Sequence, residues 1–234
     1  MFQLARPNLR PQAIGNDDAA WRYTVGTRYA PAKESKYGKT LLRSPMTELV
    51  VKELIPSLRD DFLFFFDHVA FADNPDWSDC YCSAYHFANN KGKAESRHQA
   101  SMLIEDDRMH GFLAYDNGKP VAWCNAASRG LYPVLHWLLG PGPDKGERVG
   151  SIVCFVVASS HRNKGVASHL LKTACNKFAE KGLEFAEAYP VKKPPSAAYD
   201  FPGPLSMYLK NGFSIHRDAD WYTVVRKRLT KPVP

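Results

Sequence analysis

The stretch from Ile152 to Gly182 constrains this chain more than any other. It opens on Ile152-Val153-Cys154-Phe155-Val156-Val157, an apolar run of β-branched and aromatic residues that predicts a strand. A short polar turn follows, carrying Arg162, Asn163, Lys164 and Gly165. Beyond it Val166, Leu170, Leu171, Ala174, Cys175, Phe178 and Ala179 recur with a period near that of a helix, and Gly182 stands where that helix would stop. A helix start leaves N–H groups without partners and carries partial positive charge. With a glycine that permits close approach and two cations beside it, the turn can hold an anion. The same residues also fit an ordinary strand–helix connection with solvated charges.

Composition narrows the function classes. The chain has 234 residues, 44% of them hydrophobic, enough for one large domain or one domain with an extension. No apolar run approaches the ~20 residues of a membrane span, and Met1–Arg10 lacks the apolar core of a secretory signal. The five cysteines are Cys80, Cys82, Cys124, Cys154 and Cys175, an odd number placed mostly in apolar segments. Reduced thiols in a cytoplasmic protein are the expectation. The net charge of +7 hints at nucleic acid, but its distribution does not: residues 1–45 hold eight Lys/Arg and three Asp/Glu, while residues 46–234 hold 23 and 21. The body is nearly neutral, so neither a nucleic-acid nor a membrane partner is expected.

Residues 1–45, with Pro7, Pro11 and Pro31 and little periodicity, predict a basic extension, flexible or docked through Trp21, Tyr23, Val25 and Tyr29. The body, 46–234, reads as a strand at Thr47–Leu54, helices at Leu58–Ala72 and Ser96–Met109, and strands at Phe112–Tyr115 and Pro120–Asn125 joined by Asp116-Asn117-Gly118. Tyr132–Gly146 predicts a loop. After the strand and helix at Ile152–Gly182, a strand is expected at Leu183–Tyr189, a proline-rich loop at Lys192–Pro204, a short helix at Pro204–Asn211, and strands at Ser214–His216 and Tyr222–Leu229. That order is a mixed α/β plan around one sheet.

With these elements in place, residues 46–234 resemble the GCN5-related N-acetyltransferase (GNAT) superfamily. Arg162-Asn163-Lys164-Gly165-Val166-Ala167 fits its Q/R-x-x-G-x-G/A acyl-CoA loop, and Tyr208-Leu209-Lys210-Asn211-Gly212-Phe213 fits its Y-x-x-x-G-F motif. The segments Cys80-Tyr81-Cys82, Trp123-Cys124-Asn125-Ala126 and Glu187-Ala188-Tyr189-Pro190 look like those of an uncharacterised bacterial-type subgroup. The resemblance implies a single mixed, mostly antiparallel α/β sheet with a splayed parallel strand pair, flanked by helices. It implies acetyl-CoA as co-substrate, no metal, and direct transfer in a ternary complex to a small-molecule or peptide amine, by a monomer or homodimer.

The resemblance also implies site residues. Backbone N–H groups over Arg162, Asn163, Lys164, Gly165, Val166, Ala167 and Ser168 would hold the pyrophosphate. Phe155, Val156 and Val157 would pair with pantetheine, with the Val157 N–H polarising the thioester carbonyl. Tyr208 would be the general acid toward the leaving thiolate. The strand before the loop lacks the glutamate that many relatives use as base. Glu187, an acid inside an apolar strand, is the replacement, with a structural salt bridge or a water relay as the alternatives. Phe201 stands seven residues before Tyr208, where relatives often carry a CoA-binding asparagine. Tyr81, Asn125 and Tyr189 are expected at the acceptor. Cys80, Cys82 and His86 have the donor types for zinc but not its common C-x-x-C spacing. A CoA-binding regulatory module without turnover is the alternative function.

Overall fold

The computed structural model describes residues 49–87, 92–139 and 146–230. The 1–45 extension lies outside the described residues. Seven strands form one sheet in the order β1-β2-β3-β4-β5-β7-β6. They are β1 (Val50–Glu53), β2 (Gly111–Asp116), β3 (Lys119–Ser128), β4 (Val149–Val157), β5 (Phe185–Ala188), β6 (Ser214–Asp218) and β7 (Thr223–Arg228). Only β4 and β5 run parallel; the other neighbours are antiparallel. The mixed sheet with a parallel pair is the one the sequence predicts.

Helix α4 (Val166–Glu180) covers one face, and every residue of its predicted apolar stripe is buried. They meet Phe112, Ile152, Phe155, Ala186, Ala188 and Tyr208 in one core cluster. The opposite face is covered by α1 (Arg59–His68) and α2 (Lys93–Glu105), where Phe62, Phe65, Phe66, Leu103 and Ile104 pack on Leu113, Trp123, Val153 and Val156. The Phe62 ring meets Trp123 edge-on at 5.0 Å.

Two expectations change. Helix α1 stops at His68 rather than Ala72, because the Val69 and Ala70 N–H groups both turn back to the Phe65 carbonyl. Part of Tyr132–Gly146, expected as loop, is the helix α3 (Pro133–Leu139). Pro133 at its first position is a helix-start signal that the surrounding glycines and prolines obscured. The last helix, α5 (Leu205–Lys210), lies where expected.

The feature that positions the site is the parting of β4 from β5. The pair is in register from Val149↔Phe185 to Ile152↔Ala188, and β4 then continues to Val157 without β5, still paired with β3. Two causes are visible. Against β3 the register jumps from Asn125↔Cys154 to Ala126↔Ile152, so Val153 is an extra residue that bends β4. On the other side Pro190 has no N–H to offer β4, and the chain there stays with β7: the Thr223 N–H donates to the Pro190 carbonyl, and Val191 bridges Tyr222.

Candidate active site

The edge of β4 beyond Ile152 feeds directly into the turn and α4. Gly165 is the N-cap of α4 with φ +81°, and Asn163 before it is also left-handed at φ 60°. The first intrahelical bond runs from the His169 N–H to the Gly165 carbonyl. The N–H groups of Val166, Ala167 and Ser168 therefore open on the end of the groove. Among the described residues nothing lies within 4 Å of a Cβ built on Gly165. Arg162, Asn163, Lys164 and Gly165 are exposed, Ala167 and Ser168 half-buried, and Val166 buried in the core.

Arg162 is anchored within the fold. Its Nη1 and Nη2 reach Asp73 at 2.5 and 3.0 Å in a two-pronged contact, and its Nε donates to the Val157 carbonyl at 2.9 Å. The Arg162 guanidinium holds the Asp73 carboxyl below the ordinary carboxylate range. On the other flank His161 Nε2 lies 3.0 Å from Asp116, at the β2–β3 turn. The loop is thus tied to the sheet from both sides. Lys164 carries the loop's outward charge.

Phe155 and Val156 place their side chains in the two opposite cores. The Phe155 N–H points into the parting of the strands and donates to the Phe201 carbonyl at 2.7 Å. The Val157 N–H, two residues on, shares that direction by strand alternation. Tyr208 is fully buried beside Phe213, and its phenol donates to the Pro202 carbonyl. Burial pushes that phenol well above its ordinary value.

Glu187 sits on the α1 face of β5 and is almost fully buried. Its Oε1 accepts from Arg129 Nη1 at 3.0 Å and from the Tyr189 hydroxyl at 2.7 Å; its Oε2 accepts from Arg226 Nε at 2.7 Å. Arg226 Nη1 reaches Glu147 at 3.0 Å, Arg129 also donates to the Tyr189 oxygen, and Ser151 Oγ lies 2.7 Å from it. Two arginines and two glutamates balance, with Tyr189 and Ser151 filling the remaining hydrogen bonds. Burial raises the Tyr189 phenol. The sequence pointed to Glu187 and Tyr189, and to Arg129 as a pocket residue, but not to Arg226. Arg226 faces Glu187 directly across the β5–β7 ladder, on the inward side of β7 with Val224. Beside this network a cleft of about 420 Å³ is lined by Arg129, Tyr132, His136, Glu147 and Leu183, among others.

The other predicted acceptor residues are packed inside. Tyr81 is fully buried against Phe66 and donates to Asp67 at 2.5 Å. Asn125 accepts from the Tyr132 hydroxyl at 2.6 Å and is likewise fully buried. Cys82 and Cys154 stand 3.7 Å apart, sulfur to sulfur, and all five cysteines are free thiols. Among the described residues no group of His, Cys, Asp or Glu side chains is disposed to hold a metal ion. His86 is desolvated, which lowers its imidazole to about 4. Among the same residues no helix is long and apolar enough to cross a membrane.

The fold has a counterpart among solved structures. An acetyltransferase of the GNAT family from Streptococcus pneumoniae superposes with a TM-score of 0.50 at 17% identity, covering 78% of this chain and 100% of the other. The PaiA N-acetyltransferase from Thermoplasma acidophilum, in complex with coenzyme A, gives 0.48 at 12%, covering 78% and 99%. No curated protein matches the chain. The sequence profile of the acetyltransferase (GNAT) family matches residues 64–201, from within α1 to the segment before α5. That span is more than half of the chain and contains the bulged β4, the Gly165 turn and α4. This chain belongs to the acetyltransferase (GNAT) family.

Proposed function

We propose that the protein moves an acetyl group from acetyl-CoA to an amine by direct attack in a ternary complex. The observation that carries the proposal is the parting of β4 from β5, which leaves the β4 edge beyond Ile152 free of β5 and leading to the N-terminus of α4. The pyrophosphate is held by the N–H groups from Gly165 to Ser168, with charge from Lys164. Arg162, occupied by Asp73 and Val157, keeps the loop in place. Pantetheine lies as an extra strand along Phe155–Val157: the Val157 N–H takes a pantetheine carbonyl, and the Phe155 N–H, farther from the pyrophosphate end, polarises the thioester carbonyl.

The acceptor approaches from the α1 face, where the cleft beside Arg129 carries charges of both signs, Arg129, Arg148 and Glu147, that suit a polar amine. Its attack forms the C–N bond and breaks the C–S bond. Tyr208, kept protonated by burial, gives its proton to the departing thiolate. Glu187, with both oxygens engaged by donors, balances buried charge and fixes Tyr189 instead of serving as the base. The amine loses its proton through water. Tyr81 and Asn125 shape the acceptor side from within the core.

The test is thiol release from acetyl-CoA across a broad panel of amines and N-terminal peptides. Acceptor-dependent release supports transfer. Acetyl-CoA binding without release by any acceptor would make the protein a CoA-responsive binding module instead.

A further inference from the structure

Two donors that acetyl transfer needs are already occupied by the protein's own chain. The Phe155 N–H donates to the Phe201 carbonyl at 2.7 Å, and the Tyr208 phenol donates to the neighbouring Pro202 carbonyl. Both carbonyls belong to Asp200-Phe201-Pro202-Gly203-Pro204, which leads into α5. A pantetheine arm offers the same chemistry, namely amide and thioester carbonyls in a row along a strand edge. We propose that residues 200–204 form a strap lying in the acyl-CoA groove in place of the ligand, and that acyl-CoA binds by displacing it. This rests on the acyl-CoA reading of the groove.

The strap is built to move as a unit. The Gly203 N–H closes a tight turn onto the Asp200 carbonyl at 2.8 Å. Prolines at 202 and 204 fix φ, so little chain entropy is gained or lost when the piece shifts. Its anchorage is the two carbonyl contacts, the burial of Pro202 and Gly203, and Phe201 packed on the core, with Trp77 against Tyr199 and Phe201 at ring centroids 5.3 and 6.2 Å apart. Gly203 sits at φ +86°, and a Cβ there would come within 2.7 Å of Met207 Cε and 3.4 Å of Tyr208 Oη. Only glycine lets the strap lie this close to the acid. With the strap down, Tyr208 is fully buried. With it lifted, the polarising N–H and the acid are uncovered together, so the reactive pair is assembled only when ligand has entered.

The experiment measures acetyl-CoA affinity by calorimetry for the wild type, Gly203→Ala and Trp77→Ala, each loosening the strap without altering a group that meets the ligand. A ligand that must displace a strap loses apparent affinity in proportion to the closed fraction, so loosening it should tighten binding by about tenfold. Hydrogen exchange on the wild type gives a second measurement that needs no variant. Residues 199–204 should exchange faster when acetyl-CoA is added, while the amides of β4 stay protected. Unchanged or weaker affinity in folded variants, or slower exchange of 199–204 on binding, overturns the strap. Failure of the wild type and both variants to bind acetyl-CoA overturns the acyl-CoA reading itself, and the strap with it.

Discussion

Glu187→Ala tests whether a buried carboxylate in this site serves chemistry or architecture. The side chain is 4% exposed and meets two guanidinium groups and a phenol. Removing it leaves Arg129 and Arg226 facing one another with Glu147 as the remaining anion of the network. Breaking a buried pair by deleting one partner costs about 3–5 kcal/mol, because the surviving charge stays desolvated. For a chain of this length each kcal/mol moves the melting temperature by about 2–4 °C, so the midpoint should fall by about 6–20 °C. Glu187→Gln, which keeps the shape and loses the charge, should fall between the alanine variant and the wild type. Calorimetric melting of the three proteins gives the shift, and kcat of the folded fraction at low temperature gives the chemical effect. A melting shift under about 2 °C, joined to loss of turnover, would refute the anchor and restore Glu187 as the base.

Gly165→Glu should weaken acetyl-CoA binding by at least about tenfold, since it places a carboxylate against the phosphates; Gly165→Ala, which costs only the left-handed backbone penalty of about 1–2 kcal/mol, separates charge from strain in a binding titration. Tyr208→Phe should lower kcat by about a hundredfold without weakening acetyl-CoA affinity. Because burial disfavours the phenolate, Tyr208 holds its proton past its ordinary value near 10, so wild-type kcat should show no alkaline decline from this group below about pH 10. A falling limb at lower pH that disappears in the phenylalanine variant would contradict the assignment. Asp73→Asn should raise KM for acetyl-CoA more than it lowers kcat, because Arg162 loses its fork. Asp73 has a lowered folded-state value, so its contribution is present at neutral pH and is lost as pH falls through that value. Both side chains are partly exposed, so the stability difference is under about 1 kcal/mol, and the melting curves of variant and wild type should converge in acid.

The elements carrying strong local patterns were legible in the sequence. The stripe from Val166 to Ala179 could only be one face of a helix, and all its members are buried. The turn and helix start at Gly165 were likewise legible, because a left-handed glycine at a helix N-cap is a local demand. What the sequence did not reveal depends on contacts between distant segments. Arg129 and Arg226 meet Glu187 only because β3, β5 and β7 bring them together, and neither arginine has a distinctive local context. The Phe201 and Pro202 carbonyls are backbone groups, so their residue types carry no trace of the donors they meet. Tyr81 was expected at the acceptor from the resemblance, which places its segment there; its burial and its bond to Asp67 of α1 are again contacts between distant segments.

The most direct measurement is titration calorimetry of the wild-type protein with acetyl-CoA. The account predicts one-to-one binding that weakens with added salt, as expected when pyrophosphate meets amides and Lys164. Absence of binding, or equal affinity in Gly165→Glu, would contradict the assignment of the β4–Gly165–α4 groove as the acyl-CoA site.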